Sequence, residues 1–192
     1  TTTTSTVSVA APTMTLVGSK PAFAVTDSSD TLLNGLVKLA EVTVSADAKG
    51  DIKVGKIAIL VSSTGVATIA AAADNILVKD ASDATIATTN ASFAVSAGGS
   101  TTGLICFDTA VAACASGSAV ANGYLIPAGT SKVFRIYATA ATVSGAVNTT
   151  SLSTKLGAAA STYYYDVAGG ATAAQVTTLL YGYPTNTSVI TN

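Results

Sequence analysis

The chain has no histidine and no tryptophan, and it holds one glutamate, one methionine and two cysteines among 192 residues. Without histidine it lacks the side chain that most often moves protons near neutral pH. The sparse carboxylates and lysines leave little from which to build a substitute acid or base. A Ser-Lys nucleophile is chemically conceivable, but neither a Gly-x-Ser-x-Gly elbow nor a Ser-x-x-Lys spacing occurs. The expectation is a protein that is not an enzyme and needs no cofactor. Charged residues make up 10% of the chain and the formal net charge is -1, so there is no basic footprint for nucleic acid or anionic lipid. Mean hydropathy is positive, yet no run approaches the roughly 18 to 20 apolar residues of a membrane-spanning helix. The opening residues have no initiator methionine and no charged-then-apolar leader pattern, as expected of a mature form whose leader has been removed.

What remains is a chain dominated by Ala, Thr, Ser, Val and Gly, with a surface too weakly charged to keep copies apart. Period-two alternation recurs in short runs broken by Gly, Asn, Asp or Pro, which predicts an all-β fold: an antiparallel Ig-like or jelly-roll-like β-sandwich with an extended N-terminal strand. The length suits one domain over residues 18–192, preceded by an N-terminal extension over 1–17. Strands are expected at 6–10, 13–17, 22–25, 36–46, 52–62, 66–69, 76–79, 84–88, 92–96, 104–107, 124–126, 132–140, 152–156, 163–167 and 176–181. The alanine-rich residues 70–73 and the segment 171–180 have a short helical turn as the alternative, alanine being the best helix former.

Two units stand out. Val42, Val44 and Ala46 alternate with Thr43 and Ser45, the turn-forming Asp47-Ala48-Lys49-Gly50-Asp51 follows, and Ile52, Val54, Ile57 and Ile59 resume the pattern, which reads as a β-hairpin. In the second unit Tyr124-Leu125-Ile126 leads through Pro127-Ala128-Gly129-Thr130 into a strand with Phe134 and Ile136 on one face and Val133 and Arg135 on the other. The run from Val42 to Ile52 with Lys56-Ile57, and the later run from Ile126 to Lys132 with Phe134, resemble Ig-like β-sandwich domains in large surface proteins of small-genome, uncultivated bacteria of the candidate phyla radiation. The likeness covers roughly residues 36–156. It implies a cell-surface or extracellular structural module with no catalytic residues to carry over.

The N-terminal residues Thr1 to Val17 are strand-prone, uncharged and alternate apolar with hydroxyl side chains. Such a strand either opens its own sandwich or completes the sheet of a neighbouring subunit, with Val7, Val9, Met14 and Leu16 filling pockets. Cys106 and Cys114, eight residues apart, read as a local disulfide, with two buried thiols as the alternative. Consecutive tyrosines at Tyr163, Tyr164 and Tyr165 put rings on both faces of a strand, so at least one is expected outside the core as an interface anchor or simply exposed at a sheet edge. Asn90, Asn148 and Asn186 head glycosylation triplets. Asp27, Asp30, Asp47 and Asp51 suit either turns or a hard cation, with turns favoured and no metal expected. Lys38 and Glu41 with a nearby Asn could form an isopeptide bond, although nothing in the spacing demands it. Two functional classes follow: a structural subunit of an extracellular homopolymeric filament or surface layer assembled by β-strand exchange, whose partner is itself, or an adhesin-like surface module recognising glycan or protein.

Overall fold

Alternation in the sequence becomes a ladder of antiparallel strands in the computed structural model, which describes residues 19–72, 76–89, 93–108, 123–146, 149–167, 174–175 and 183–192. Two antiparallel sheets pack against each other as a β-sandwich. One layer runs in the order β1 (Ala22–Asp27), β2 (Gly35–Ser45), β10 (Ser131–Ala141), β5 (Ile76–Lys79) and β6 (Thr85–Thr89). The other runs β8 (Ser100–Cys106), β3 (Ile52–Thr64), β11 (Ser151–Leu156) and β14 (Ser188–Thr191). The pairs Thr88 with Cys106 and Thr89 with Ile105 join β6 to β8, so one hydrogen-bonded sheet folds over on itself. Short strands extend it: β4 (Thr68–Ala72) lies on β10 and carries β7 (Phe93–Val95), while β9 (Tyr124–Ile126) and β12 (Tyr163–Asp166) lie on β3, with β13 (Ala174–Gln175) on β12.

Between the layers, one face of each long strand is buried. Val42 and Val44 from β2, Phe134 and Ile136 from β10, Ile57, Ile59 and Val61 from β3, Leu152 from β11 and Ile190 from β14 belong to one continuous core. Each such branched or aromatic side chain contributes about 1.5 to 3 kcal/mol on burial. Three rings close the core at one end: Phe134 lies 5.1 Å from Phe107 and 5.2 Å from Tyr124, the latter edge-on.

The expected β-hairpin does not form, and the two strands of the second unit do not pair with each other either. β2 pairs with β1 and β10, β3 pairs with β8, β9, β11 and β12, and β9 and β10 belong to different layers. Residues 46–51 and 127–130 are therefore corners that carry the chain from one sheet to the other. Alternation identifies an inward face but not the strand beside it, and two inward faces meet equally well across the sandwich gap. The corners bond to each other: Ala46 N–H donates to Thr130 O at 2.9 Å, Gly129 N–H to Asp47 O at 3.2 Å and Ala128 N–H to the Asp51 carboxylate at 2.8 Å. Gly129, at φ +68, supplies the left-handed residue the second corner requires.

Elsewhere the strands match the expected ones within a few residues at most ends, and the residues at 70–72 are strand rather than helix. Pairing of β4 with β10 and β7 outweighs the few tenths of a kcal/mol by which alanine favours helix. β8 begins earlier than expected, at Ser100, and β14 was not foreseen. The strands expected at 6–10, 13–17 and 176–181 lie outside the described residues.

The outermost strands β1 and β14 meet at a seam bridged by side chains. Ser188, buried at 0% exposure, donates its hydroxyl to Leu39 O at 2.7 Å and accepts Ser28 N–H at 3.0 Å. Asn186 donates its amide to Val25 O at 2.7 Å, and Leu32 N–H donates to Thr191 O at 2.8 Å. Thr154 on β11 is its opposite, a buried hydroxyl with no hydrogen-bond partner. Ser188→Ala strands the Ser28 N–H and the Leu39 carbonyl and should cost about 1 to 3 kcal/mol, whereas Thr154→Val removes an uncompensated polar group and should be neutral or stabilising. Thermal denaturation of the two variants should thus shift the midpoint down for the first and not down for the second.

Candidate assembly surfaces

The tyrosine run sits where β3 bulges. Tyr163 lies opposite Lys56 and Tyr164 opposite Val54, with the register slipping between them. Tyr164 points into the core at 2% exposure, and burial pushes its phenol up. Tyr163 and Tyr165 take the other face and pack, half-buried, with Leu104 around the fully buried Cys106. Any interface role for the run therefore falls to Tyr163 and Tyr165.

Their surroundings are polar for so covered a place. The ammonium of Lys56, a residue 6% exposed, lies 4.3 Å from the Tyr163 ring centroid, a cation–π geometry that partly offsets its burial. Asp108, 5% exposed, accepts a hydrogen bond from the Tyr165 hydroxyl. Sequence reasoning gave Lys56 no role of its own beyond the Lys56-Ile57 pair and did not single out Asp108; Lys56 shares the outward parity of Ala58 and Leu60 on β3, a position that alternation assigns to solvent. Cys106 sits at the centre of this cluster. Cys114, its expected partner, lies outside the described residues, as do Val7, Val9, Met14, Leu16, Asn90 and Asn148.

The remaining candidates resolve into turn chemistry. Asp30 accepts Lys38 N–H, Asp47 accepts Lys49 N–H and Asp51 accepts Ala128 N–H, and no group of three potential metal ligands occurs among the described residues. Lys38 and Glu41 form an ion pair at 3.2 Å, which Arg135 joins at 3.4 Å from Glu41. Asn186 spends its amide on Val25 O, and Ser188 of the same triplet is the buried seam hydroxyl. No helix among the described residues is long and apolar enough to cross a membrane.

The two ends of the sandwich differ in charge. The end formed by the two corners carries Asp47, Lys49, Asp51, Lys53 and Lys132, and here Ser19 donates to Asp47 O at 3.4 Å where the chain enters β1. The opposite end gathers residues 28–37, 62–72, 95–102, 138–146, 149–154 and 187–192, as the pairs Gly35 with Ala140, Thr68 with Ala141 and Ser151 with both Thr64 and Thr191 require. Asp30, exposed on the loop that carries Leu33, is the charged residue of those stretches. Four of the exposed large apolar side chains lie there, Leu33, Leu36, Val66 and Val189, at 61%, 51%, 46% and 49% exposure.

Burial first, then the hydrogen bond to Asp108 and its negative charge, pushes the Tyr165 phenol up to about 12. The folded state thus holds its proton after the unfolded chain, whose phenol ionises near 10, has released it. Stability contributed by this group is complete below about pH 10 and is lost as pH rises toward 12. Asp108→Asn should bring the Tyr165 titration, followed by NMR of its ring carbons, part of the way back while the share due to burial persists; an unchanged midpoint would remove Asp108 from the account.

No family model, no curated protein and no solved structure matches the chain.

Proposed function

We propose that the chain is a structural subunit of an extracellular homopolymeric filament or surface layer, assembled by β-strand exchange through residues 1–17. One observation carries this reading: residues 1–17 hold no charged side chain and alternate apolar with hydroxyl residues, a pattern that suits a strand added to a neighbour's sheet. Each main-chain hydrogen bond so formed is worth about 0.5 to 1.5 kcal/mol net. Val7, Val9, Met14 and Leu16 add about 1.5 to 3 kcal/mol apiece when buried, enough together to offset the entropic cost of association.

The extracellular placement is supported by the weakly charged surface, by the likeness of residues 36–156 to bacterial surface domains and by the cysteine pair. We read Cys106 and Cys114 as one intrachain disulfide, closing a loop short enough to contribute up to roughly 2 to 3 kcal/mol. Non-reducing peptide mapping should recover the two in a single linked fragment, and free thiols at both positions would reject the bridge.

Replacing Val7 and Val9 by Asp in the full-length chain should abolish polymers seen by electron microscopy while leaving the β circular dichroism and melting midpoint unchanged, because two charges would have to enter an apolar groove. If the parent chain instead sediments as a monomer at high concentration, strand exchange fails and the adhesin-like module takes its place.

A further inference from the structure

Resting on that reading, we infer that the outer edge of β1 is the acceptor for residues 1–17 of the next subunit, which add to it as an antiparallel strand. The register of the ladder decides which backbone groups lie on that edge. Ala46 N–H bonds to Thr130 O, just beyond the pairs Ser45 with Ser131 and Val44 with Lys132. Along an antiparallel strand the backbone groups turn to one neighbour and then the other at alternate residues, so Val44 and Val42, like Ala46, direct theirs toward β10. Their partners on β1, Phe23 and Val25, and by the same parity Asp27, therefore aim N–H and C=O away from β2. The amide of Asn186 agrees, reaching Val25 O at 2.7 Å from that side. Among the described residues, no other hydrogen bond reaches these outward groups of Phe23, Val25 and Asp27.

Topology leaves the same edge open. β1 and β14 are the two ends of the path β1, β2, β10, β5, β6, β8, β3, β11, β14, and every step along it is antiparallel. An even number of reversals leaves β1 and β14 running in the same direction, so pairing them directly would break the alternation, and the side chains of Asn186 and Ser188 bridge the seam instead. One added strand, antiparallel to both, restores the alternation. The edge also has apolar cover to gain, because Phe23 and Val25, at 8% and 9% exposure, are with Ile86 the least buried side chains of the core. Residues 1–17 bring no charge, place Val7 and Val9 two apart so that both face inward, and are long enough to run the length of the 6-residue strand β1. To seat them, Asn186, exposed in the coil before β14, gives up its bond to Val25 O, and a main-chain ladder takes the place of one side-chain contact. Donor and acceptor are different surfaces, so the contact is heterologous and repeats from subunit to subunit.

Amide hydrogen exchange reads this register residue by residue in full-length chains. The Val7→Asp, Val9→Asp variant is the monomeric reference and the parent is the polymer. In the reference, the amides of Phe23, Val25 and Asp27 should exchange freely, while those of Ala24 and Thr26, which point to β2, are protected. In the polymer, quenched and read by NMR, the first three should slow by at least about tenfold, which erases the alternation. Asn186→Ala removes the competing donor and should lower the concentration at which polymer forms. Asp27→Pro deletes one outward N–H without touching the ladder to β2 and should raise it. If polymers form while Phe23, Val25 and Asp27 exchange as fast as in the reference, or if a folded Asp27→Pro chain polymerises at the parent's concentration, the acceptor lies elsewhere and this assignment falls while strand exchange stands. Protection of the three amides already in the monomeric reference would mean that the edge is filled within one subunit, and it sinks the assignment too. A parent chain that never polymerises, or a Val7/Val9 variant that polymerises like it, overturns both.

Discussion

The two sheets are held in relation to each other by a clasp between two corners. β2 and β3 sit in opposite layers, as do β9 and β10, and the connections between them bond to one another through Ala46, Gly129, Ala128 and the Asp51 carboxylate. With the corners fixed, the buried faces of β2 and β10 oppose that of β3, and the ring cluster of Phe107, Tyr124 and Phe134 closes the gap behind them. β3 then becomes the hub of the second layer, carrying β8 and β11 on its two edges along one half and β9 and β12 along the other. The glycine bulge at residue 55 allows this change of partners, and Phe107 N–H bonds to the Gly55 carbonyl there.

Much of this was legible in the residues. Alternation located β1, β2, β5, β9, β10 and β11 because each has one face in the core and a more exposed one opposite, and period two records that difference directly, while β3 keeps it only toward its ends, its residues 54–59 being buried on both faces. The faces of Phe134 and Ile136 against Val133 and Arg135 came out as read. Strand partners did not, since Asp47-Ala48-Lys49-Gly50-Asp51 has the same composition whether it reverses the chain within a sheet or lifts it to the next. β14 escaped notice because Ser188 and Ile190 face inward on only four residues, too few to establish a period.

The candidate surfaces were half visible. Stretches with little charge could be read residue by residue, but that six of them converge on one end of the molecule depends on strand pairing. Lys56 and Asp108 show the converse limit. Both are charged types that ordinarily mark solvent, and their burial beside Tyr163 and Tyr165 depends on β12 pairing with β3, a neighbour that alternation does not name. Asn186 and Ser188 belong to a triplet read as a sugar acceptor, while in the fold they latch the seam between β1 and β14.

Because the strands run from one end of the sandwich to the other, the direction of a pull decides how the domain resists it. Tension along the long axis slides neighbouring strands past each other, and the many rungs between β2 and β10 or between β3 and β8 must yield together. Tension across the strands would instead peel them one rung at a time, beginning at the seam, where side chains of Ser188 and Asn186 replace a continuous ladder. The same domain is thus mechanically stiff when loaded end to end and weak when loaded from the side.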